Sequence, residues 1–178
     1  MNVQLSRPGS GASPSIQAFG VLPGNTPEAN AVALQAAIDW AARRGAALFV
    51  EPSEEPYPVA GGVILRANAS LIGVHGPVGR GTRHPDRRQP VGSVFAITDE
   101  RRPFLTVENA TQIRGIQFWY PQQTASDPDR IIAYPPTIQV SPEEGAQGVT
   151  LSCLTFYGEY LAMDFAASRE KICEQILF

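Results

Sequence analysis

The segment "NATQIRGIQF" (109–118) decides the fold, because similar segments stand on both sides of it. The earlier one is "NASLIGV" (68–74) and the later one is "AQGVTLSCLTF" (146–156). The three align on Leu71, Ile113 and Leu151, at spacings of 42 and 38 residues. In each, a polar turn leads into a short apolar run, which ends in Gly or another small residue and is followed by a further apolar residue. Strand-like units that recur at such a long period predict a solenoid of β-strands or a propeller.

Short apolar segments continue this pattern along the chain. Each spans about four to eight residues and is bounded by Gly, Pro, Asn or Asp. They read ALFVEP, GGVILR, SLIGV, SVFAI, FLTV, IRGIQFWY, TIQV, VTLSCLTF and YLAMDF, and "SIQAFGV" (15–21) is interpreted as a short first strand. No convincing helix lies between them, which argues against a doubly wound α/β fold, where crossover helices join most strands. The sequence has no Trp-Asp dipeptide, a mark of propeller blades, so we favour the solenoid.

One segment, 26–45, has helical periodicity instead. Thr26 is a candidate N-cap, Pro27 suits the first helical position, and Glu28 places a negative charge in the first turn. The apolar face consists of Leu34, Ala37, Ile38 and Ala41, and the predicted last turn holds Arg43 and Arg44 before a stop at Gly45. A solenoid of β-strands exposes its apolar interior at each end. We therefore expect this amphipathic helix to cover the end that precedes the first strand.

Composition excludes several classes of protein. The 178 residues suit one domain, and 16 Gly with 16 Pro indicate a protein rich in turns and strands. The net charge of −3 gives no general electrostatic case for nucleic acid or for an anionic membrane. No apolar run reaches the roughly 18 residues that would span a bilayer. Only two cysteines occur, Cys153 and Cys173, so neither a disulfide framework nor a cysteine-based metal site is predicted.

These features resemble the N-terminal part of the right-handed parallel β-helix proteins of the pectate lyase superfamily. That family opens with a Phe-Gly-Ala element and a polar Gly-Asp-Gly turn, followed by an alanine-rich helix, a Gly-rich turn and an apolar strand. The matching residues here are Phe19-Gly20, "ALQAAIDWAARRGAALFVEP" (33–52) and "YPVAGGVILRANASLIGVHG" (57–76). The acidic turn is replaced by "LPGNTPEAN" (22–30), so the role of its acids does not carry over.

The resemblance implies an all-β solenoid, a right-handed single-stranded parallel β-helix with an N-terminal capping α-helix. It would occupy residues 15–178, after a flexible leader at 1–14 that is rich in Ser, Gly and Pro. The superfamily implies a secreted or cell-surface protein that handles polysaccharides, as a lyase or a glycoside hydrolase. Other members are adhesive or structural, so a noncatalytic glycan-binding or structural segment is the alternative function.

Glycoside hydrolysis requires two carboxyl groups that flank the sugar, about 5–5.5 Å apart for retention or about 6.5–9.5 Å apart for inversion. Our candidate catalytic pair is Glu159 with Asp164, in "YGEYLAMDF" beside two tyrosines. Asp99 with Glu100 forms a second carboxylate pair on a predicted strand edge. Isolated carboxylates near turns are usually solvated, and nothing in the spacing places either pair on one face.

Binding residues are expected in two further segments. "GRGTRHPDRRQP" (79–90) gathers basic side chains that suit carboxylate or sulfate groups, and its candidates are Arg83, His84, Arg87 and Arg88. The alternative for this segment is a charged surface loop. "FWYPQQTASDPDRIIAYPPTI" (118–138) contributes Trp119, Tyr120 and Tyr134, which could stack on sugar faces. The alternative is that these aromatic rings anchor the insertion onto the strands.

The partners and cofactors follow from these expectations. The expected partner is an acidic or neutral polysaccharide, with no nucleic acid and no membrane. No cofactor and no metal ligand is predicted; a lyase of this superfamily could use Ca²⁺, but no set of Ca²⁺ ligands is identifiable. The chain stops on the apolar segment "SREKICEQILF" (168–178), so we expect either missing C-terminal coils or a homo-oligomer to cover that end.

Overall fold

The computed structural model describes residues 14–75, 90–123, 128–166, 171 and 173–178. In these residues one α-helix, α1 (Pro27–Ala42), precedes fourteen short strands, and 3-10 helices lie at Ile16–Phe19 and Pro128–Arg130. The strands are β1 (Ala47–Val50), β2 (Tyr57–Val59), β3 (Val63–Leu65), β4 (Ser70–Gly73), β5 (Val94–Ile97), β6 (Leu105–Val107), β7 (Gln112–Arg114), β8 (Gln117–Trp119), β9 (Ile138–Val140), β10 (Ala146–Gln147), β11 (Thr150–Ser152), β12 (Thr155–Tyr157), β13 (Met163–Asp164) and β14 (Cys173–Glu174).

Twelve of these strands form three four-stranded sheets in which every pairing is parallel. The first sheet has the order β1-β4-β7-β11, the second β2-β5-β8-β12 and the third β3-β6-β9-β13. The chain therefore visits the first, second and third sheets in turn, four times; each visit to all three is called a pass below. A small parallel pair, β10 with β14, completes the pairing. The described residues thus form a parallel β fold with one helix.

The register of the first sheet confirms the internal repeat that the sequence predicts. Leu71 is opposite Ile113, and Ile113 is opposite Leu151, in directly paired strands. Leu48 of β1 extends the same row by one strand. All four side chains are buried, because alternate residues of a strand point to opposite faces and these face the interior. Each repeat therefore contributes one apolar residue to a row that crosses the whole sheet.

An aromatic row crosses the second sheet in the same way. It consists of Tyr57, Phe95, Phe118 and Phe156, which are opposite one another in paired strands. The rings of Phe118 and Phe156 are stacked, with centroids 5.1 Å apart. Inward side chains from the three sheets and from α1 belong to one continuous apolar core. The sheets are thus held together by burial of apolar surface, which is worth about 25 cal/mol per Å².

Helix α1 covers the first strands of the second and third sheets. Thr26 caps its N-terminus by accepting a hydrogen bond from the N–H of Ala29, as the sequence predicts. Asn30 donates to the carbonyl oxygen of Pro58 in β2. The side-chain amide of Gln35 exchanges hydrogen bonds with both the N–H and the carbonyl of Ile64 in β3. The helix therefore satisfies backbone groups that would otherwise form an open sheet edge.

Two local predictions were wrong. The segment 15–21 is a 3-10 helix at Ile16–Phe19, and only Ser15 pairs with the first sheet, opposite Phe49. The helix α1 ends at Ala42, so Arg43 and Arg44 follow its last turn; the guanidinium of Arg44 lies 4.4 Å from the ring centroid of Trp40. The predicted leader lies outside the described residues except for Pro14, whose carbonyl oxygen accepts from the N–H of Phe49.

Two predicted single strands are each divided by a turn. "IRGIQFWY" becomes β7 and β8, which meet at Gly115 with a φ of +70°. "VTLSCLTF" becomes β11 and β12, which meet at Cys153 with a φ of +52°. A positive φ turns the chain sharply, so each predicted strand crosses from the first sheet to the second. The sequence does not predict these turns, because the two apolar runs contain neither a Pro nor two adjacent Gly residues.

The C-terminal residues continue the first sheet by one more partner. Leu177 forms a parallel bridge with Thr150, and its backbone exchanges hydrogen bonds with Val149 and Leu151. The C-terminal apolar segment is thus paired with the fourth pass. Its side chains remain open, since Leu177 and Phe178 are 64% and 70% exposed.

Candidate functional site

Three of the four carboxylates that the sequence singles out lie in connections between the second and third sheets. Asp99 and Glu100 lie in this connection of the second pass, between β5 and β6, and Glu159 lies in that of the fourth pass, between β12 and β13. The long connection of the third pass, between β8 and β9, lies between them and includes Tyr120 and Tyr134. The structure therefore brings acids from two distant sequence segments to one edge of the molecule.

The two carboxylates of the predicted catalytic pair have different surroundings. Asp164 is opposite Gln139, on the outward face of the third sheet, and its Oδ1 accepts a hydrogen bond from the N–H of Ala166 at 2.9 Å. Glu159 is half-buried in the turn after β12, and its charge acts on the phenol of Tyr120. No hydrogen bond joins Glu159 to Asp164 in the described residues. The pair is thus placed at one end of the sheets, with Asp164 engaged in its own turn.

Asp99, in the alternative carboxylate pair, has a structural role. Its carboxylate accepts hydrogen bonds from the backbone N–H groups of Arg101 and Arg102 and from the guanidinium of Arg102. Burial raises the pKa of Asp99, but these hydrogen bonds outweigh burial and hold the pKa below its ordinary value. A carboxylate that is kept ionised and fully engaged in this way cannot serve as a general acid.

Tyr120 and Tyr134 are covered by the chain itself. Their side chains are 3% and 2% exposed, and their ring centroids lie 4.6 Å apart. The phenol of Tyr120 shares a 2.6 Å hydrogen bond with Thr137, and burial raises the pKa of Tyr120 to about 12. Neither ring presents a free face to a sugar, which corrects the prediction that these two tyrosines contact substrate. They anchor the insertion between β8 and β9.

Other contacts fasten the same insertion. The side-chain amide of Gln123 exchanges two hydrogen bonds, each of 2.9 Å, with the backbone of Ile132. A Cβ on Gly158 would lie 3.1 Å from the Cβ of Gln123, so the turn after β12 fits closely against the insertion. Burial is also the main reason that the pKa of Tyr134 is raised, and the nearby charge of Glu100 adds to it. The described part of the insertion is therefore a packed element of the fold.

Trp119 occupies a different position from the two tyrosines. It follows Phe118 in β8, and because Phe118 points inward, Trp119 points to the outer face of the second sheet. Tyr157 of β12 is directly opposite Trp119 on the neighbouring strand. Both side chains are half-buried. The sequence predicts Trp119 as a binding residue but gives no sign of Tyr157 as its neighbour, since 38 residues separate them.

Polar side chains flank this aromatic pair on the same face. Thr155 precedes Tyr157 by two residues, and Gln117 is opposite Thr155 in β8. The Nε2 atom of His75, which follows β4, lies 2.7 Å from the Oγ1 atom of Thr155. We define the outer patch as Trp119, Tyr157, Thr155 and His75; Gln117 is fully buried and is not part of it. Of these four residues, the sequence predicts only Trp119 as a binding residue.

The remaining predicted binding residues are not placed by the structure. Arg83, His84, Arg87 and Arg88 lie outside the described residues. Among the residues that are described, no group of three or more His, Cys, Asp or Glu side chains could hold a metal ion. The described helices include none that is long and apolar enough to cross a membrane.

Comparisons of the chain with protein-family models, with curated proteins and with solved structures returned no match. The resemblance to the pectate lyase superfamily therefore stays a prediction from the residues.

Proposed function

We propose that the four passes wind as a right-handed parallel β-helix and that its outer surface binds polysaccharide. The constant order in which the chain visits the three sheets supports the winding, as does the single core that they share. Right-handed connections between parallel strands are strongly preferred, in about 98% of cases, which supports the hand. The resemblance to the pectate lyase superfamily supports the substrate class and a secreted or surface location.

One observation carries the binding proposal, the in-register pair of Trp119 and Tyr157 on the outer face of the second sheet. Paired strands lie about 4.8 Å apart, so the two aromatic side chains form one apolar surface across neighbouring strands. Flat apolar surfaces of this kind stack on sugar faces. Polar groups at the edge of the surface, Thr155 and His75, suit the hydroxyls at the edge of a sugar ring.

The test is binding of the chain to a panel of neutral and acidic polysaccharides, measured by affinity electrophoresis. Trp119→Ala and Tyr157→Ala should each weaken the retention of bound glycan at least tenfold, because each removes half of the stacking surface. Phe178→Ala is the control: Phe178 is an aromatic residue that is 70% exposed, and it follows Leu177, which pairs with the first sheet and not with the second. Retention that is absent across the panel, or unchanged in both variants, would refute glycan binding at this surface.

A second candidate function is cleavage of the bound glycan by Glu159 and Asp164. The observation that favours it is the position of Glu159, two residues after Tyr157 in the chain and half-buried in the turn after β12. Release of reducing ends and of unsaturated uronates would be measured over the same panel. Glu159→Gln should abolish turnover and Glu143→Gln, in an exposed turn, should not. If the chain binds glycan but never cleaves it, the catalytic function is refuted and the noncatalytic binding function remains.

A further inference from the structure

A groove lies between helix α1 and the connections that lead into the third sheet. Its walls are the first turns of α1, the turn between β2 and β3, and Arg102 from the connection between β5 and β6. Its volume is about 280 Å³, near the low end for ligand sites, which suits a molecule of the size of a sugar ring. Besides Arg102 and Glu28, which carry charge, the groove has an apolar lining that includes Ala31, Val32, Ala60 and Val63.

Two glycines let Arg102 lie in the wall of this groove. A Cβ on Gly61 would lie 2.5 Å from the carbonyl oxygen of Arg102, so a side chain there would push the two connections apart. Gly62 has a φ of +86°, which favours glycine, and a Cβ there would lie 3.0 Å from the Nη1 atom of Arg102. The guanidinium therefore lies directly against the bare backbone of Gly62.

Asp99 fixes the orientation of this guanidinium. Its Oδ2 atom accepts a hydrogen bond from Nε of Arg102 at 2.8 Å and lies 2.7 Å from Nη2. No described residue accepts a hydrogen bond from Nη1, and the side chain of Arg102 is 58% exposed. The edge formed by Nη1 and the second N–H of Nη2 is thus left for a ligand. Such an edge binds a carboxylate through two parallel hydrogen bonds.

Glu28 supplies an acceptor in the same groove. It is exposed and has no partner among the described residues. A carboxylate accepts hydrogen bonds from hydroxyls but repels a second carboxylate beside it, so an acidic ligand must bind with its acid group at Arg102 and its hydroxyls at Glu28. Because Asp99 offsets the charge of Arg102, the attraction comes from directed hydrogen bonds more than from net charge. Val32, which is 73% exposed, offers apolar surface to the C–H face of a ring.

From these contacts we propose that the groove binds a uronic acid, a single sugar ring that carries a carboxylate. The carboxylate accepts two hydrogen bonds from the free edge of Arg102, the ring hydroxyls donate to Glu28, and the ring packs on Val32. A neutral sugar cannot form the charged hydrogen bonds to Arg102 and is bound more weakly. The groove is separate from the outer patch, and its proposed ligand does not depend on glycan binding there.

The test is a set of titrations followed by ¹H–¹⁵N NMR, which suits the weak affinity expected of one sugar ring. Glucuronate and galacturonate are compared with glucose and galactose, and trigalacturonate distinguishes a free acid from the end of a chain. Each free uronate should shift the amide signals of Gly61 and Gly62 and bind about tenfold or more tightly than its neutral sugar, the effect of charged hydrogen bonds to Arg102. Arg102→Gln should remove that preference. Arg101→Gln is the matched control, an exposed neighbour outside the groove.

Filling the groove is an independent change that leaves Arg102 in place. Ala31→Leu extends a side chain of the lining and should weaken uronate binding about tenfold or more. Ala36→Leu makes the same substitution at an exposed position of α1 outside the groove and should leave binding unchanged. Urea unfolding of each variant establishes that the fold is intact.

The outcomes decide the proposal without reference to Trp119 and Tyr157. Uronates that bind no more tightly than neutral sugars, that fail to bind at all, or that bind Arg102→Gln as well as the unchanged chain overturn it. Binding that survives Ala31→Leu places the acid outside the groove and also overturns it. A uronate preference that Arg102→Gln and Ala31→Leu abolish and both controls preserve supports it.

Discussion

Asn30 is the side chain whose loss should damage the fold most at the covered end of the sheets. It lies on the inner face of α1 and is fully buried. Its Oδ1 atom accepts from the N–H of Leu22 at 2.9 Å and from Asn25, and its Nδ2 atom donates to the carbonyl oxygens of Leu22 and Pro58, each at 2.8 Å. One amide therefore joins the helix to the turn before it and to the edge of β2.

The magnitude follows from these four hydrogen bonds. Each contributes about 0.5–1.5 kcal/mol net, and a partner left unpaired in the interior costs more. Asn30→Ala would leave the backbone groups of Leu22 and the carbonyl of Pro58 without their partner. We expect the free energy of unfolding to fall by about 3–4 kcal/mol. For a domain of this size, 1 kcal/mol corresponds to about 2–4 °C, so Tm should fall by roughly 10 °C.

Urea unfolding followed by circular dichroism measures the change, with Tm from a thermal scan as a second readout. Gln35→Ala should cost less, about 1–2 kcal/mol, because it removes two hydrogen bonds to Ile64. Val32→Ala is the control on the same helix, 73% exposed, and should change stability by less than about 0.5 kcal/mol. If Asn30→Ala were as mild as Val32→Ala, the helix would not be the cover of the sheet edge that we describe.

Two further predictions concern backbone strain and pH. Ala110 and Gly148 occupy equivalent turn positions with φ of +54° and +68°. Ala110→Gly should therefore raise the free energy of unfolding by about 1 kcal/mol in urea unfolding, and Gly148→Ala should lower it by about as much. A change of the same sign in both variants would contradict this prediction. The pKa of Tyr120 is raised by burial to about 12 in the fold, against about 10 in the unfolded chain. The unfolded chain therefore loses this proton first, and the free energy of unfolding falls by about 3 kcal/mol for this group as pH rises from 10 to 12. Tyr120→Phe should flatten that fall, and an unchanged pH profile would exclude Tyr120 as its source.

The parallel sheets were predictable because the sequence repeat determines the register of their strands. Leu71, Ile113 and Leu151 are the residues that align best in the sequence, and they are opposite one another in space. Because the repeat is long and has no helices within it, few arrangements of the strands bury every apolar run. Residues that align in the sequence are therefore also aligned in neighbouring strands. The cap of α1 was also predictable, since Thr26 and Pro27 act through hydrogen bonds and φ values that depend on local sequence alone.

The candidate site was much less predictable, because its neighbours are distant in sequence. Tyr157 and Trp119 meet only through strand register, and His75 reaches Thr155 across 80 positions. Burial was the second obstacle: Trp119 and Tyr120 are adjacent aromatic residues, yet one faces outward and the other is enclosed by the insertion. Alternation within a strand explains the difference afterwards, but only once the strand and its turn are known.

A last copy of the repeat lies at the C-terminal residues, where Leu177 pairs with Thr150, and the sequence analysis did not find it. The turn that leads into the first sheet explains why. Five residues with positive φ lie two positions before a paired row of the first sheet: Gly45, Asn68, Ala110, Gly148 and Gln175. The residue two positions after each is paired in one row, which begins at Ala47 and ends with Leu177 opposite Thr150. Only Asn and Gly favour a left-handed backbone, so Ala110 and Gln175 adopt it at a cost of about 1–2 kcal/mol. The parallel pairing and the buried residue that follows the turn must outweigh that cost, because the side chain itself gives no preference. The repeat is therefore defined by backbone position, and a search for Gly or Asn at the turn finds only three of its five copies.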